Sequence, residues 1–334
     1  MTANREADEV VTVVMSADEN YFDGLLVTMS SMAEYASEES NIEWVVLDGG
    51  ILEEDFSFLE ETVSKRHSKS IFRRVLFDKN KSGSAKTYHG SVMTYARLYL
   101  SDLLKDRAFA LYCDVDFLWR ADVSELWGLR DEKRSVQSVR DEWMYVNQDV
   151  NEEQWFSDRG LRFPKSSYFC AGLCLFNLRR IREMGYDRMF ADFLKKHPDA
   201  RLADQTVMNA VFPQSEVGLL PDKWQRFIST VEPWHLYEPY ALHYAGGAPW
   251  SRQCNIALLT DAAMLWFREY AKLRGLSVWS AICRVHNPLF AVFSRLVFKV
   301  ATSCRLAFYM FKLGMHMIGR DGYVTYCRKL GRLK

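Results

Sequence analysis

Two apolar periods alternate through the first half of the chain. "EVVTVVMSADENY" (residues 9–21) opens as a β-branched run and ends in polar residues, which predicts a buried strand followed by a loop. "GLLVTMSSMAEYAS" (24–37) then places apolar residues at helical spacing. "IEWVVLDGG" (42–50) reads as a second strand ending in an acid and two glycines, "DFSFLEETVSKRH" (55–67) as a helix, and "SIFRRVLFD" (70–78) as a third strand. "SVMTYARLYLSDLLK" (91–105) predicts an amphipathic helix leading into "FALYCDVDF" (109–117). The strands are continuously apolar rather than alternating. That pattern predicts an α/β fold with one Rossmann-like, mostly parallel sheet covered by helices on both faces. The second half is less regular. "SYFCAGLCLFNLRRIRE" (167–183) reads as a strand running into a helix, "LADQTVMNAVF" (202–212) as a helix start, and "ALHYAGGAPW" (241–250) as a short apolar piece before a glycine-rich loop. The domain is expected to span residues 1–275, with a helical tail over 276–334.

In sheets of this kind ligands bind beyond the carboxyl ends of the strands. Three candidate strands end there in acids: Asp18, Asp48, and the pair Asp114 and Asp116. The pair interrupts an apolar, aromatic stretch, "ALYCDVDFLW" (110–119). Residues i and i+2 of a strand share a face, so the two carboxylates are expected to converge. Neighbouring like charges repel and resist desolvation, and a hard divalent cation removes that conflict. An Asp-x-Asp pair is common in solvated turns as well, but bulky apolar residues on both sides are unusual for one.

Composition adds limits. The 334 residues include 43 basic and 43 acidic side chains and are 49% hydrophobic, enough for a substantial core and too balanced for a nucleic-acid partner. The balance hides an asymmetry. Residues 276–334 hold ten Lys or Arg against one acid, Asp321, which gives the tail a formal charge of +9 and leaves −9 on the remainder. The seven cysteines are scattered, odd in number and without a CxxC pair, as expected of reduced thiols in a cytoplasmic protein. The polar start "MTANREADEV" does not read as a signal peptide, and no apolar run reaches the roughly 18 residues of a spanning helix.

The order of blocks is more specific than any one of them. "SADENY", "TYARLYL", "LYCDVDFLW", "YFCAGLCLFNL", "ADQTVMNAVF" and "HYAGGAPW" together resemble glycosyltransferase family 8, over roughly residues 10 to 252. The resemblance implies an A-type glycosyltransferase fold and a retaining enzyme that moves a hexose from a UDP-sugar to a glycan acceptor such as lipopolysaccharide or capsule. It implies a metal site of Asp114, Asp116 and His243, and an imidazole beside carboxylates favours Mn²⁺ over Mg²⁺. Ala17, Asp18, Asn20, Tyr21, Arg97, Val115 and Gly246 correspond to positions that hold the nucleotide-sugar donor. Asp204 and Gln205 correspond to the pair that lies against the donor sugar and carries catalysis. Without the resemblance, Asp18 and Asp204 read equally well as helix caps. The chain departs from the family in three places. Cys170 stands where an asparagine is usual, Thr206 where an acid is common, and the loop Gly246-Gly247-Ala248-Pro249-Trp250 lacks the lysine that contacts the diphosphate, a role for which Lys223 and Arg252 are the substitutes to consider.

The tail "NPLFAVFSRLVFKVATSCRLAFYMFKLGMHMIG" starts a helix at Pro288. At helical spacing Arg295, Lys299, Arg305, Lys312 and His316 share an arc of about 140°, opposite Leu289, Phe293, Leu296, Val300, Phe311 and Ile318. A basic stripe opposite an apolar one suits a helix lying in an anionic membrane surface, so the enzyme is expected at the inner face of the cell membrane as a peripheral protein. The other helix arrangement is packing on the catalytic domain. Two other functions fit paired acids on an α/β fold: nucleotidyl transfer, against which stands the lack of a Gly-rich phosphate loop with a lysine after strand one, and a membrane-bound sugar-nucleotide binder with weak activity.

Overall fold

A computed structural model describes residues 10–88, 90–147, 150–228, 236–246, 248–250 and 260–303. The chain divides into two compact units. The first comprises residues 1–141, 150–226 and 239–242. Its strands are β1 (Val11–Ala17), β2 (Ile42–Asp48), β3 (Ser70–Leu76), β4 (Phe109–Cys113), β5 (Phe117–Trp119), β6 (Val136–Arg140), β7 (Phe169–Asn177) and β8 (Val217–Leu220). Two short strands, β9 (Arg226–Phe227) and β10 (Ala241–His243), begin in this unit.

Seven strands form the main sheet in the order β3-β2-β1-β4-β7-β6-β8, and β5-β10-β9 form a small second sheet. The β-branched runs give the parallel core its register: β1 pairs with β2 from Val11 opposite Ile42 to Ala17 opposite Asp48, and every residue of both strands is buried. β1, β2, β3 and β4 run parallel, as do β6 and β8. β7 is antiparallel to both β4 and β6. The mostly parallel α/β sheet expected from the apolar runs is therefore present, with one reversed strand. A continuous apolar strand such as "FCAGLCLFN" carries no sign of its direction, so sequence periodicity is silent on the reversal.

The helix Phe22–Tyr35 returns from β1 and buries Leu25, Leu26, Val27, Met29 and Met32. Each such side chain contributes about 1.5–3 kcal/mol when fully enclosed. The chain over 93–103 differs from the amphipathic helix expected there: a 3-10 segment, Met93–Tyr99, precedes a single α-turn, Leu100–Leu103. At three residues per turn Thr94 and Arg97 stack on the same side, with Arg97 buried and Thr94 half-buried. β1 and β4 are adjacent while β2 and β3 lie on the far side of β1, so the strand order reverses between β1 and β4. The loops leaving these two strands flank the crevice in which a doubly wound sheet takes its ligand.

The second unit comprises residues 142–149, 227–238 and 243–334. Its helices include Asp261–Arg274, Val278–Val285 and Pro288–Ser303. Thr260 caps the first by accepting from Ala263 N at 3.2 Å, and Gly275 ends it in the left-handed region at φ 62°. Trp266 packs with Trp250 and stacks on Tyr270, with ring centroids 5.5 and 5.1 Å apart. The helix predicted to start at Pro288 does so. It turns Ala291 and Ser294 inward and leaves Leu289, Val292, Phe293 and Leu296 exposed. Arg295 is not part of an open basic stripe, because it pairs with Asp261 at 2.7 Å. Arg305, Lys312, His316, Phe311 and Ile318 lie outside the described residues. Among those described, no helix is long and apolar enough to cross a membrane.

Candidate functional site

The paired acids sit at the switch point, but not within a strand. β4 ends at Cys113 and β5 begins at Phe117, so Asp114, Val115 and Asp116 form the bend between them. The expectation that strand periodicity would bring the carboxylates to one face is corrected here; a turn holds them. Asp114 N donates to Gly172 O of β7 at 2.7 Å, which fixes the start of the bend. Thr28, buried on the helix Phe22–Tyr35, fixes its end. The Thr28 hydroxyl faces Val115 O at 2.7 Å and Phe117 O at 2.8 Å, and accepts from Phe117 N at 3.1 Å. One turn later Ser31 Oγ accepts from Trp119 N at 3.1 Å.

His243 closes β10 and follows directly on Leu242 of the first unit. Its ring stacks on Phe227 with centroids 5.1 Å apart, and its backbone oxygen accepts from Ile228 N at 3.1 Å. Asp114, Asp116 and His243 each offer one ligand atom, and these atoms lie within 4.8 Å of one another. Two carboxylate oxygens and one imidazole nitrogen fit a divalent ion such as Mn²⁺.

Behind Asp114 lies a buried ion-pair network. Arg97 Nη2 donates to Asp114 Oδ1 at 2.5 Å, and Arg97 Nε lies 2.9 Å from Asp204 Oδ2. Thr94 Oγ1 also donates to Asp204, and Tyr112 OH to Asp114 Oδ1 at 3.2 Å. Burial alone would lower the Arg97 pKa, but the charges of Asp114 and Asp204 raise it well above its ordinary value. Burial pushes the Asp204 carboxyl up, against the pull of Arg97 and Thr94.

Asp204 and Gln205 open the helix Asp204–Val211. Ala203 before them has φ 51°, the one non-glycine residue with positive φ among those described. The Gln205 side chain is held at both ends: Oε1 accepts from Ala171 N at 3.0 Å and Nε2 donates to Asp141 Oδ2 at 3.0 Å. Asp141 was not singled out by the sequence. It follows the last residue of β6, a strand-ending acid like the others, and that position was its available signal. Tyr88, also unflagged, lies near the same acids, since burial and then the charge of Asp204 push its phenol up to about 12. Cys170 is buried, its thiol raised by burial, and its Sγ accepts from Gly172 N at 3.4 Å. Thr206 donates to buried Glu152 at 2.6 Å, so an acid at 206 would face another carboxylate.

At the end of β1, Ala17 is buried and Asp18 caps the 3-10 turn Glu19–Tyr21 by accepting from Asn20 N at 3.1 Å. Asp18 Oδ2 also accepts from Ser91 Oγ at 2.9 Å. Asn20 is exposed and Tyr21 half-buried. Burial raises the Tyr21 pKa, with Asp18, Asp116 and Asp114 adding to it in that order, which places the phenol beside both acidic loops. Gly246, at φ 71°, is exposed beyond β10. Lys223 holds its ammonium 4.2 Å above the Tyr240 ring, and Arg252 lies outside the described residues. Asp48 belongs to the scaffold: it accepts from Gly50 N, Ile51 N and Arg74 Nε at 2.7, 2.6 and 2.8 Å.

The fold is the A-type fold of the glycosyltransferases. The chain belongs to glycosyl transferase family 8, whose profile matches residues 12–254. General stress protein A of Bacillus subtilis is 28% identical over 265 residues, covering 73% of this chain and 88% of its own. Among solved structures, the galactosyltransferase LgtC in complex with donor and acceptor sugar analogs is similar with a TM-score of 0.66 at 22% identity, over 81% of this chain and 100% of that one. The apo bifunctional glycosyltransferase WbbM aligns with a TM-score of 0.65 at 23% identity, over 84% of this chain and 52% of that one. The family favours glycosyl over nucleotidyl transfer. Its enzymes typically use a nucleotide sugar and a divalent metal.

Proposed function

We propose that the protein is a retaining glycosyltransferase that moves a hexose from a UDP-sugar to a surface-glycan acceptor, with a divalent ion, Mn²⁺ by preference, held by Asp114, Asp116 and His243. The convergence of these three ligand atoms within 4.8 Å carries the reading. Bound there, the ion supplies Lewis-acid stabilisation of the charge on the departing diphosphate. In this reading Ala17, Asp18, Asn20 and Tyr21 at the end of β1, together with Val115 and Gly246, are the residues assigned to the nucleotide-sugar donor. Gln205 is a poor nucleophile twice over: its amide oxygen is neutral and already accepts from Ala171 N–H. A front-side displacement is therefore favoured, with the charge of Asp204, steadied by Arg97, and the fixed amide of Gln205 stabilising an oxocarbenium-like sugar.

The exposed apolar face Leu289, Phe293 and Leu296, with the basic residues that follow in sequence, supports peripheral contact with an anionic membrane. Changing these three residues to serine should release the protein from anionic liposomes in a pelleting assay; retention would refute the contact. The activity itself is tested with a panel of UDP-hexoses and Mn²⁺, reading nucleotide release with and without acceptor. UDP as the released nucleotide is expected; release of hexose 1-phosphate, the mark of nucleotidyl transfer from a UDP-hexose, would sink the reading.

A further inference from the structure

Arg97 is placed unlike a residue that greets a ligand. Its side chain is 2% exposed, and every N–H of its fork has a protein acceptor. Nε reaches Thr94 O at 3.1 Å and Asp204 Oδ2 at 2.9 Å. Nη2 reaches Asp114 Oδ1 at 2.5 Å and Thr94 Oγ1 at 3.4 Å, while Nη1 reaches Ala171 O and, at 3.5 Å, Asp114 Oδ2. The guanidinium lies 4.2 Å from the centroid of the Tyr112 ring, which closes one side of it. A donor diphosphate would have to displace these partners to be touched by Arg97.

We propose that Arg97 is a positioning residue that acts through Asp114: it fixes that carboxylate and balances part of its charge, so that a divalent ion is held firmly only together with a nucleoside diphosphate. This rests on the reading of Asp114, Asp116 and His243 as the metal ligands. Two carboxylates by themselves would attract a divalent ion at all times. A fixed cation in direct contact with one of them repels the ion and occupies part of the oxygen's bonding capacity. A diphosphate brings negative charge and hard oxygen ligands, and restores the attraction. Ion and diphosphate then strengthen each other's binding by the same factor. Asp204, on the other side of the guanidinium, keeps Arg97 charged and in place, which ties the sugar-facing acid to the metal-facing one through one buried cation.

The test is a titration of the whole protein with Mn²⁺, with and without excess UDP, followed by the electron paramagnetic resonance signal of free Mn²⁺. In the unaltered protein UDP should tighten Mn²⁺ binding at least about tenfold. In Arg97→Gln, Mn²⁺ alone should bind about tenfold more tightly and the effect of UDP should shrink by a similar factor. A folded Arg97→Gln protein with unchanged Mn²⁺ affinity and unchanged UDP dependence overturns the proposal. Should that variant fail to fold because Asp204 is left buried without its cation, Arg97→Gln with Asp204→Asn is charge-balanced; it still frees Asp114 from its contact, so Mn²⁺ alone should bind more tightly and the effect of UDP should shrink, by less than in the single variant. An unaltered protein that binds Mn²⁺ equally well without UDP overturns the role of Arg97 alone. One that takes up no Mn²⁺ in either condition overturns the metal site as well.

Discussion

Thr28 is the residue whose replacement tests the construction of the site most directly. It lies on the helix Phe22–Tyr35, far in sequence from the acids, yet its hydroxyl faces Val115 O, Phe117 O and Phe117 N within 3.1 Å. Thr28→Val keeps the shape and removes the hydroxyl. One donated proton, shared between the two carbonyls, and one accepted bond are lost. Each bond contributes about 1 kcal/mol net, and backbone groups stranded in a buried bend add about 1–2 kcal/mol more, so a loss of about 2–4 kcal/mol is expected. Thr28→Ser keeps the hydroxyl and loses one methyl, a cost of about 1 kcal/mol. Urea unfolding of the three proteins measures the difference. Because the bend carries both Asp114 and Asp116, Thr28→Val should also weaken Mn²⁺·UDP binding by about tenfold, whereas Thr28→Ser should stay close to the unaltered protein. A valine variant within about 0.5 kcal/mol of the parent, with unchanged Mn²⁺·UDP affinity, would refute the argument that this hydroxyl holds the acidic turn.

Asp116→Asn should lower turnover by about a hundredfold or more with the fold intact by circular dichroism, and chelation of the unaltered enzyme should give a similar loss that Mn²⁺ reverses. Glu152 is fully buried and accepts from Tyr168, Thr206 and Arg201; Glu152→Ala strands all three and should lower stability by about 3 kcal/mol, read as a fall in thermal midpoint. His197 and His286 are both held below their ordinary value of 6.5, chiefly by burial. The unfolded chain therefore binds protons first as pH falls, and the stability present above about 6.5 should be lost progressively below it. Thermal midpoints measured from about pH 7.5 to 5.5 should decline, and His286→Leu should flatten part of that slope.

What the sequence disclosed follows from what breaks a local pattern. Asp114 and Asp116 were legible because charges inside "ALYCDVDFLW" violate the apolar run around them. The first three strands were legible because β-branched runs admit few other conformations in a folded core. The groups that hold the site break no pattern. Thr28 and Ser31 are ordinary residues of a buried helix, and only the packing of that helix against β5 turns their hydroxyls into supports for a bend. Arg97 reads as a solvated helix residue until the 3-10 geometry of Met93–Tyr99 turns it inward. Asp48 and Asp114 show why the strand-end rule cannot decide function by itself. Both are acids at the carboxyl end of a parallel strand. Asp48 is saturated by two N–H groups of its own turn and by Arg74, so its charge is consumed where it stands. The Asp114 carboxylate is held by Arg97 and Tyr112 on Oδ1, while its side chain stays 30% exposed and joins Asp116 and His243. The difference lies in the residues that approach each carboxylate from distant parts of the chain, Arg74 in one case and Arg97 with His243 in the other, and those approaches are fixed only by the order of the strands.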